Sequence, residues 1–169
     1  CTGAATNPSP TFSPGASAGI FSASPSGLVF DNTATGVIDL SASASGTYTV
    51  TNSITCSGSA FTATAVVTIN HTPSLSSTLL PPAMCSGNTF NYTPTSLIGG
   101  ATFSWTRATV AGISEAGTSA AGAVSEVLTN TTALPVVVTY VYITSANGCS
   151  NVGQNVNVTV NPTPQLNTT

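Results

Sequence analysis

The chain has 169 residues, 41% of them hydrophobic and only 3% charged, with a net charge of −3 at neutral pH. Its single basic residue of the Lys/Arg kind is Arg107, set against four acids, Asp31, Asp39, Glu115 and Glu126. Nucleic-acid binding needs a basic stripe and an anionic membrane surface needs a basic cluster, so both partner classes are excluded.

The hydrophobic share separates this sequence from disordered chains, and its length fits one domain or two small ones. The longest apolar run, Leu134–Ile143, is too short to cross a bilayer. Solubility then rests on Ser, Thr and Asn, neutral groups whose hydration responds little to salt or pH. Four cysteines in such a background point to an oxidising compartment outside the cell. No signal peptide opens the sequence, so a mature or excised segment is expected.

In chain order, the predicted strands begin with IFSAS (Ile20–Ser24) and GVIDL (Gly36–Leu40). SGTYTVTNSITC (Ser45–Cys56) follows, and then AFTATAVVTIN (Ala60–Asn70). In the latter, Phe61, Ala63, Ala65, Val67 and Ile69 share one face and Thr62, Thr64 and Thr68 the other, the period of a half-buried strand. Ser74–Met84 is expected to be a first strand of a second domain, followed by TFSWT (Thr102–Thr106), GAVSEVL (Gly122–Leu128), VVTYVYI (Val137–Ile143) and NVNVTV (Asn155–Val160). No stretch shows a helical period, and Gly, Pro, Asn and Ser punctuate the strands at short intervals. The pattern is that of an all-β sandwich.

The two halves resemble each other. Ser45–Pro73 aligns with Val137–Pro164, matching Tyr48 to Tyr140 and Cys56 to Cys149, each followed by an alternating strand that ends in Asn-x-Thr-Pro. Upstream, CTG at Cys1–Gly3 matches CSG at Cys85–Gly87. Two homologous domains are therefore expected, 1–72 and 73–164, with 165–169 beginning a further repeat. The first has no counterpart of Ser74–Met84 and is expected to lack its first strand, as if the chain were cut from a longer array. Two other readings of the ends are a lipid-modified Cys1 and a strand donated between subunits of a fibre. The alignment also pairs the cysteines, Cys1 with Cys56 and Cys85 with Cys149, closing loops that would contribute near 4 kcal/mol each. Without CxxC pairs, zinc binding is disfavoured.

Few residues offer chemistry. GASAG (Gly15–Gly19) satisfies G-x-S-x-G, but no helix is predicted after it and the only histidine, His71, lies in the inter-domain connector. The pairs Asp31/Asp39 and Glu115/Glu126 are the only candidates for paired-carboxylate work, and Asp31 sits in a turn sequence where Asp bonds its own backbone. Neither a calcium site nor any cofactor is indicated. Arg107 is expected to brace the sandwich by pairing with Glu126 or Glu115. Trp105 alternates with Phe103 on a strand and reads as core rather than as a sugar platform. The sequons at Asn70, Asn91, Asn130, Asn157 and Asn167 permit glycosylation without requiring it.

Cys85–Pro164, through TFSWTRA, VSEVLTNTT and VTYVY…NGC, resembles the PKD-like, immunoglobulin-like repeats of very large Bacteroidetes surface proteins. Gly27–Asn52 resembles a companion repeat of the same proteins. The resemblance implies two tandem immunoglobulin-like (PKD-like) sandwiches in a secreted surface stalk or adhesin array, of the sort seen in gliding-motility adhesins exported by the type IX system. It implies no catalytic residue, and its partners would be neighbouring repeats, surface glycans or other cells. The sequence reading is thus a structural repeat segment of an extracellular fibre. A module that itself grips a glycan or protein, or a filament subunit built by strand donation, is the alternative.

Overall fold

The computed structural model describes residues 1–4 and 6–164, all-β among them, so the expected start of a further repeat at 165–169 lies outside the described residues. The chain divides into two compact units, Cys1–Thr72 and Pro73–Thr169.

Unit 1 contains β1 (Ile20–Ser24), β2 (Phe30–Asn32), β3 (Val37–Ile38), β4 (Gly46–Cys56) and β5 (Ser59–Ile69). One sheet has the order β1-β4-β5, and β2 pairs β3 separately. The β4–β5 ribbon is continuous from Gly46↔Ile69 to Cys56↔Ser59. Its two-residue turn, Ser57 (φ 50°) and Gly58 (φ 83°), is left-handed at both positions, the form whose twist matches that of paired strands. Ile38, Leu40, Tyr48 and Ile69 make a small core, with Leu28, Phe30 and Val67 packed against it. The stretch around Pro8, Pro10 and Pro14 forms no strand, since proline offers no amide to a ladder.

Unit 2 contains β6 (Met84–Cys85), β7 (Asn88–Tyr92), β8 (Thr102–Arg107), β9 (Thr118–Ala121), β10 (Val124–Leu128), β11 (Val136–Ala146), β12 (Cys149–Ser150) and β13 (Gln154–Asn161). The larger sheet runs β6-β13-β11-β8-β9, with β12 also on β11, and faces the pair β10-β7. Val138, Tyr140, Tyr142, Val156, Val158 and Val160 of that sheet are wholly buried against Phe90, Tyr92, Val124 and Leu128 of the other. β-branched residues alternating with Thr and Asn produce this one-sided burial along β13. The expected first strand at Ser74–Met84 is shorter than its sequence suggested. Only Met84 and Cys85 form β6, because Pro81 and Pro82 interrupt the segment.

Two backbone hydrogen bonds recur at matching positions in the two units. Thr2 N–H donates to Asn70 and Gly3 N–H to Leu40, as Ser86 N–H donates to Asn161 and Gly87 N–H to Leu128. The strands that follow these donors also agree in register, with Phe21 opposite Asn52 and Phe103 opposite Thr144.

The expected cysteine pairs, Cys1–Cys56 and Cys85–Cys149, do not form. The chain holds a disulfide, but Cys56 and Cys85 are free and exposed. Strand length is the reason. Cys1 lies beside Asn70 at the Gly46 end of the β4–β5 ribbon, while Cys56 lies at its turn, ten residues along β4. At ~3.4 Å per residue that is about 34 Å, whereas bridged Cα atoms lie about 4.4–6.8 Å apart. Cys85 likewise pairs Asn161 near Val136, and Cys149 pairs Ala146 at the opposite end of β11. The repeat alignment is compatible with this, since Cys56 precedes its hairpin turn and Cys149 follows Asn147-Gly148 at the corresponding one. Cysteines equivalent in sequence thus sit at the far pole of each unit, not beside the near one. Maleimide added to the native, unreduced chain should therefore add two labels, at Cys56 and Cys85, by intact mass; zero labels would restore the sequence-based pairing.

Candidate functional site

Two places concentrate unusual chemistry, a buried charge in unit 2 and an open groove in unit 1.

The charge is Arg107, whose side chain is fully buried at the end of β8. Its Nε donates to Glu126 Oε2 at 3.0 Å and its Nη2 to Oε1 at 2.5 Å, a two-point grip on one carboxylate. Nη1 donates to the carbonyls of Ala108 and Glu115, and Nη2 also to that of Ala116. The Tyr140 hydroxyl donates to Glu126 Oε2 at 2.6 Å. β8, β10 and β11 thus each contribute one member. Hydrogen bonding to Glu126 holds the guanidinium above its ordinary pKa, although burial acts the other way. Burial first, and the bond to Glu126 second, push the Tyr140 phenol strongly upward, and burial raises Tyr142 in the same direction. Glu115 is not the partner in this pair. It accepts from Thr129 N–H and Ser114, and these bonds lower its pKa against a burial effect of opposite sign.

Every group in this cluster already has a partner, so it braces the sandwich. Trp105 is core as well, edge-on to Tyr140 with ring centroids 5.3 Å apart. The remaining sequence candidates are local. Asp39 accepts from Ser41 and Ala42, the Ser41 hydroxyl chiefly lowering its pKa, and Asp31 accepts from Asn7. The Gly15–Gly19 motif enters a strand rather than a helix, and His71 bonds Ser45, not Ser17. Among the described residues no group of three His, Cys, Asp or Glu could hold a metal. No helix there is long and apolar enough to cross a membrane.

Asn130 carries a role its sequon did not signal. It is buried, both amide protons are engaged with the carbonyls of Leu134 and Val160, and its Oδ1 accepts from Thr132. Asn91, by contrast, is exposed on β7. Only the fold distinguishes the two.

The groove in unit 1 has a volume of about 590 Å³ and runs between the Pro8–Ser13 stretch and the face of the β1-β4-β5 sheet that carries Phe21, Val50, Ala63, Ala65 and Val67. That face was expected to be covered along β5. Instead Phe61, Ala63 and Ala65 are exposed, and the small core reaches only Val67 and Ile69. β5 is also the edge of its sheet. Among the described residues, no backbone group of Ser59–Ile69 bonds outside the β4–β5 ribbon.

With this architecture in view, one family comparison bears on unit 2. Residues 82–164 match the PKD-like domain. No curated protein matches this chain. Unit 2 is a β-sandwich whose inward Arg107–Glu126 pair is engaged in bracing.

Two solution tests follow from the buried pair. Glu126→Ala leaves a buried guanidinium without its counter-charge and should lower unfolding stability by about 3–5 kcal/mol, whereas a paired Arg107→Met/Glu126→Leu change should cost less than the single one. Urea unfolding measures both, and a loss below about 1 kcal/mol would class the pair with exposed ones. The second test is pH. Asp39 and Glu115 have lowered folded pKa values, so their contribution is present above the unfolded value, about 4, and is lost as pH falls through the folded one. Tyr140 and Tyr142 are raised, so theirs is complete below about pH 10 and is lost above it. Tyrosinate absorbance should show Tyr140 and Tyr142 ionising only as the protein unfolds in alkali, and their ionisation before unfolding would contradict this.

Proposed function

We propose that this chain is a structural repeat segment of an extracellular fibre, stalk or adhesin on a bacterial surface, unit 1 being an immunoglobulin-like sibling of the PKD-like unit 2. The recurring bonds at Thr2–Asn70 and Ser86–Asn161 support the sibling relation. A disulfide suits an oxidising exterior, and the resemblance to large Bacteroidetes surface proteins supplies the setting.

One observation carries the mechanical role. In unit 2 the entering segment and the departing strand run parallel, with Met84 opposite Val160 and Cys85 opposite Asn161, and Asn157 N–H donates to Leu79 upstream. Tension applied at the two ends of such a unit pulls parallel neighbours past each other. Every bond along the seam is then loaded together, whereas a hairpin pulled from its open end would lose its bonds one at a time. A sandwich closed in this way resists extension without any ligand.

Stretching the chain between end-attached handles should give a high-force event for unit 2 that Asn157→Pro sharply weakens, because proline removes the donor to Leu79. Unfolding of unit 2 at a force no higher than that of unit 1 removes the load-bearing reading. Antibodies against the chain should also label intact cells that produce it, and labelling only after permeabilisation removes the surface assignment.

A further inference from the structure

The open groove of unit 1 lies where unit 2 holds a stretch of its own chain. In unit 2, residues 73–84 cross from one sheet to the other. Ser76 N–H donates to Thr95 and Ser77 bonds Tyr92 on the β7 side. Leu75 N–H donates to Gln154, Asn157 N–H to Leu79, and Met84 pairs Val160 on the β13 side. Leu75 is buried in the core between the two sheets.

The corresponding walls in unit 1 are present and facing. The Pro8–Ser13 stretch stands on the β7 side, since Ile38 N–H donates to Pro8 as β10 pairs β7. β5 stands in the place of β13, and the groove lies between these walls. The backbone phase also agrees. Asn70 accepts from Thr2 at the outer edge, as Asn161 accepts from Ser86, so residues two and four earlier face outward in both strands. Counted from Cys1 and Cys85, Thr11 stands where Thr95 exchanges hydrogen bonds with Ser76 and Ser77.

We propose that this groove takes up the stretch Pro162–Thr169 of a second copy of the chain, beside Pro8–Ser13 as Ser76 and Ser77 lie beside Tyr92 and Thr95 in unit 2. The occupant is indicated by sequence. Asn70-His-Thr-Pro-Ser-Leu75 leaves β5 and supplies the stretch that covers unit 2, and Asn161-Pro-Thr-Pro-Gln-Leu166 leaves β13 in the same pattern. Leu166 takes the position of Leu75. Neither the stretch nor the groove lining carries a charged residue, so the union is one of backbone bonds and apolar burial. The proposal rests on the fibre reading above and names the contact by which copies join.

The test uses the full-length Leu166→Asp chain as receptor, so that its own tail does not compete, and a synthetic peptide of Asn161–Thr169. Saturable binding with slowed amide exchange at Thr11, the counterpart of Thr95, is expected. A peptide carrying Leu166→Asp should bind roughly tenfold more weakly or worse, the loss expected from a buried leucine. In sedimentation, the unaltered chain should assemble with rising concentration and the Leu166→Asp chain should not. Absence of protection at Thr11, equal binding of the Leu166→Asp or a scrambled peptide, or identical sedimentation of the two chains overturns the proposal. The stretching experiment on unit 2 does not involve the groove, so either result can fail alone.

Discussion

The structure turns on how the outer edge of each unit's last strand is closed. A strand at a sheet edge offers a row of unpaired amides and carbonyls that invites pairing with another chain. In unit 2 the arriving chain covers that row, and the strand beneath it, β13, is alternately buried to completion. In unit 1 the same kind of strand is exposed along most of its length. The contrast between Val156 and Val158, fully buried, and Ala63 and Ala65, exposed, follows the presence or absence of a covering neighbour. Burial in these units is a property of the completed sheet rather than of any single sequence.

A second constraint is the near absence of charge. With hydroxyls and amides doing the work of solubility, the protein can place its single arginine inside and devote it to holding three strands together. Taking a guanidinium out of water is costly unless its donors are satisfied. Here the carboxylate of Glu126 and three carbonyls satisfy them, and Tyr140 supplies a further donor to the carboxylate. The network also fixes the mutual height of β8, β10 and β11, something the interchangeable valines around it cannot do.

Much of this was legible in the sequence, and the exceptions have physical causes. Period-two patterning located the strands, and internal likeness located the division near residue 72, because both depend on local residue order. The Arg107–Glu126 pair was legible because a lone cation in a nearly uncharged domain has few partners. The cysteine pairing was misread because alignment reveals equivalence but not which end of an 11-residue strand an equivalent residue occupies. The exposure of Phe61 and the burial of Asn130 were likewise illegible. Each is decided by residues distant in the chain, through the absence of a covering strand in one case and the carbonyl of Val160 in the other.

The burial of Arg107 has one more consequence. Proteases of trypsin's specificity cut only after lysine or arginine, and this chain offers them a single bond, Arg107–Ala108. That arginine is 2% exposed and clasped by a carboxylate, so such an enzyme gains access only when unit 2 opens. Toward enzymes of this class the folded chain would present nothing to cut.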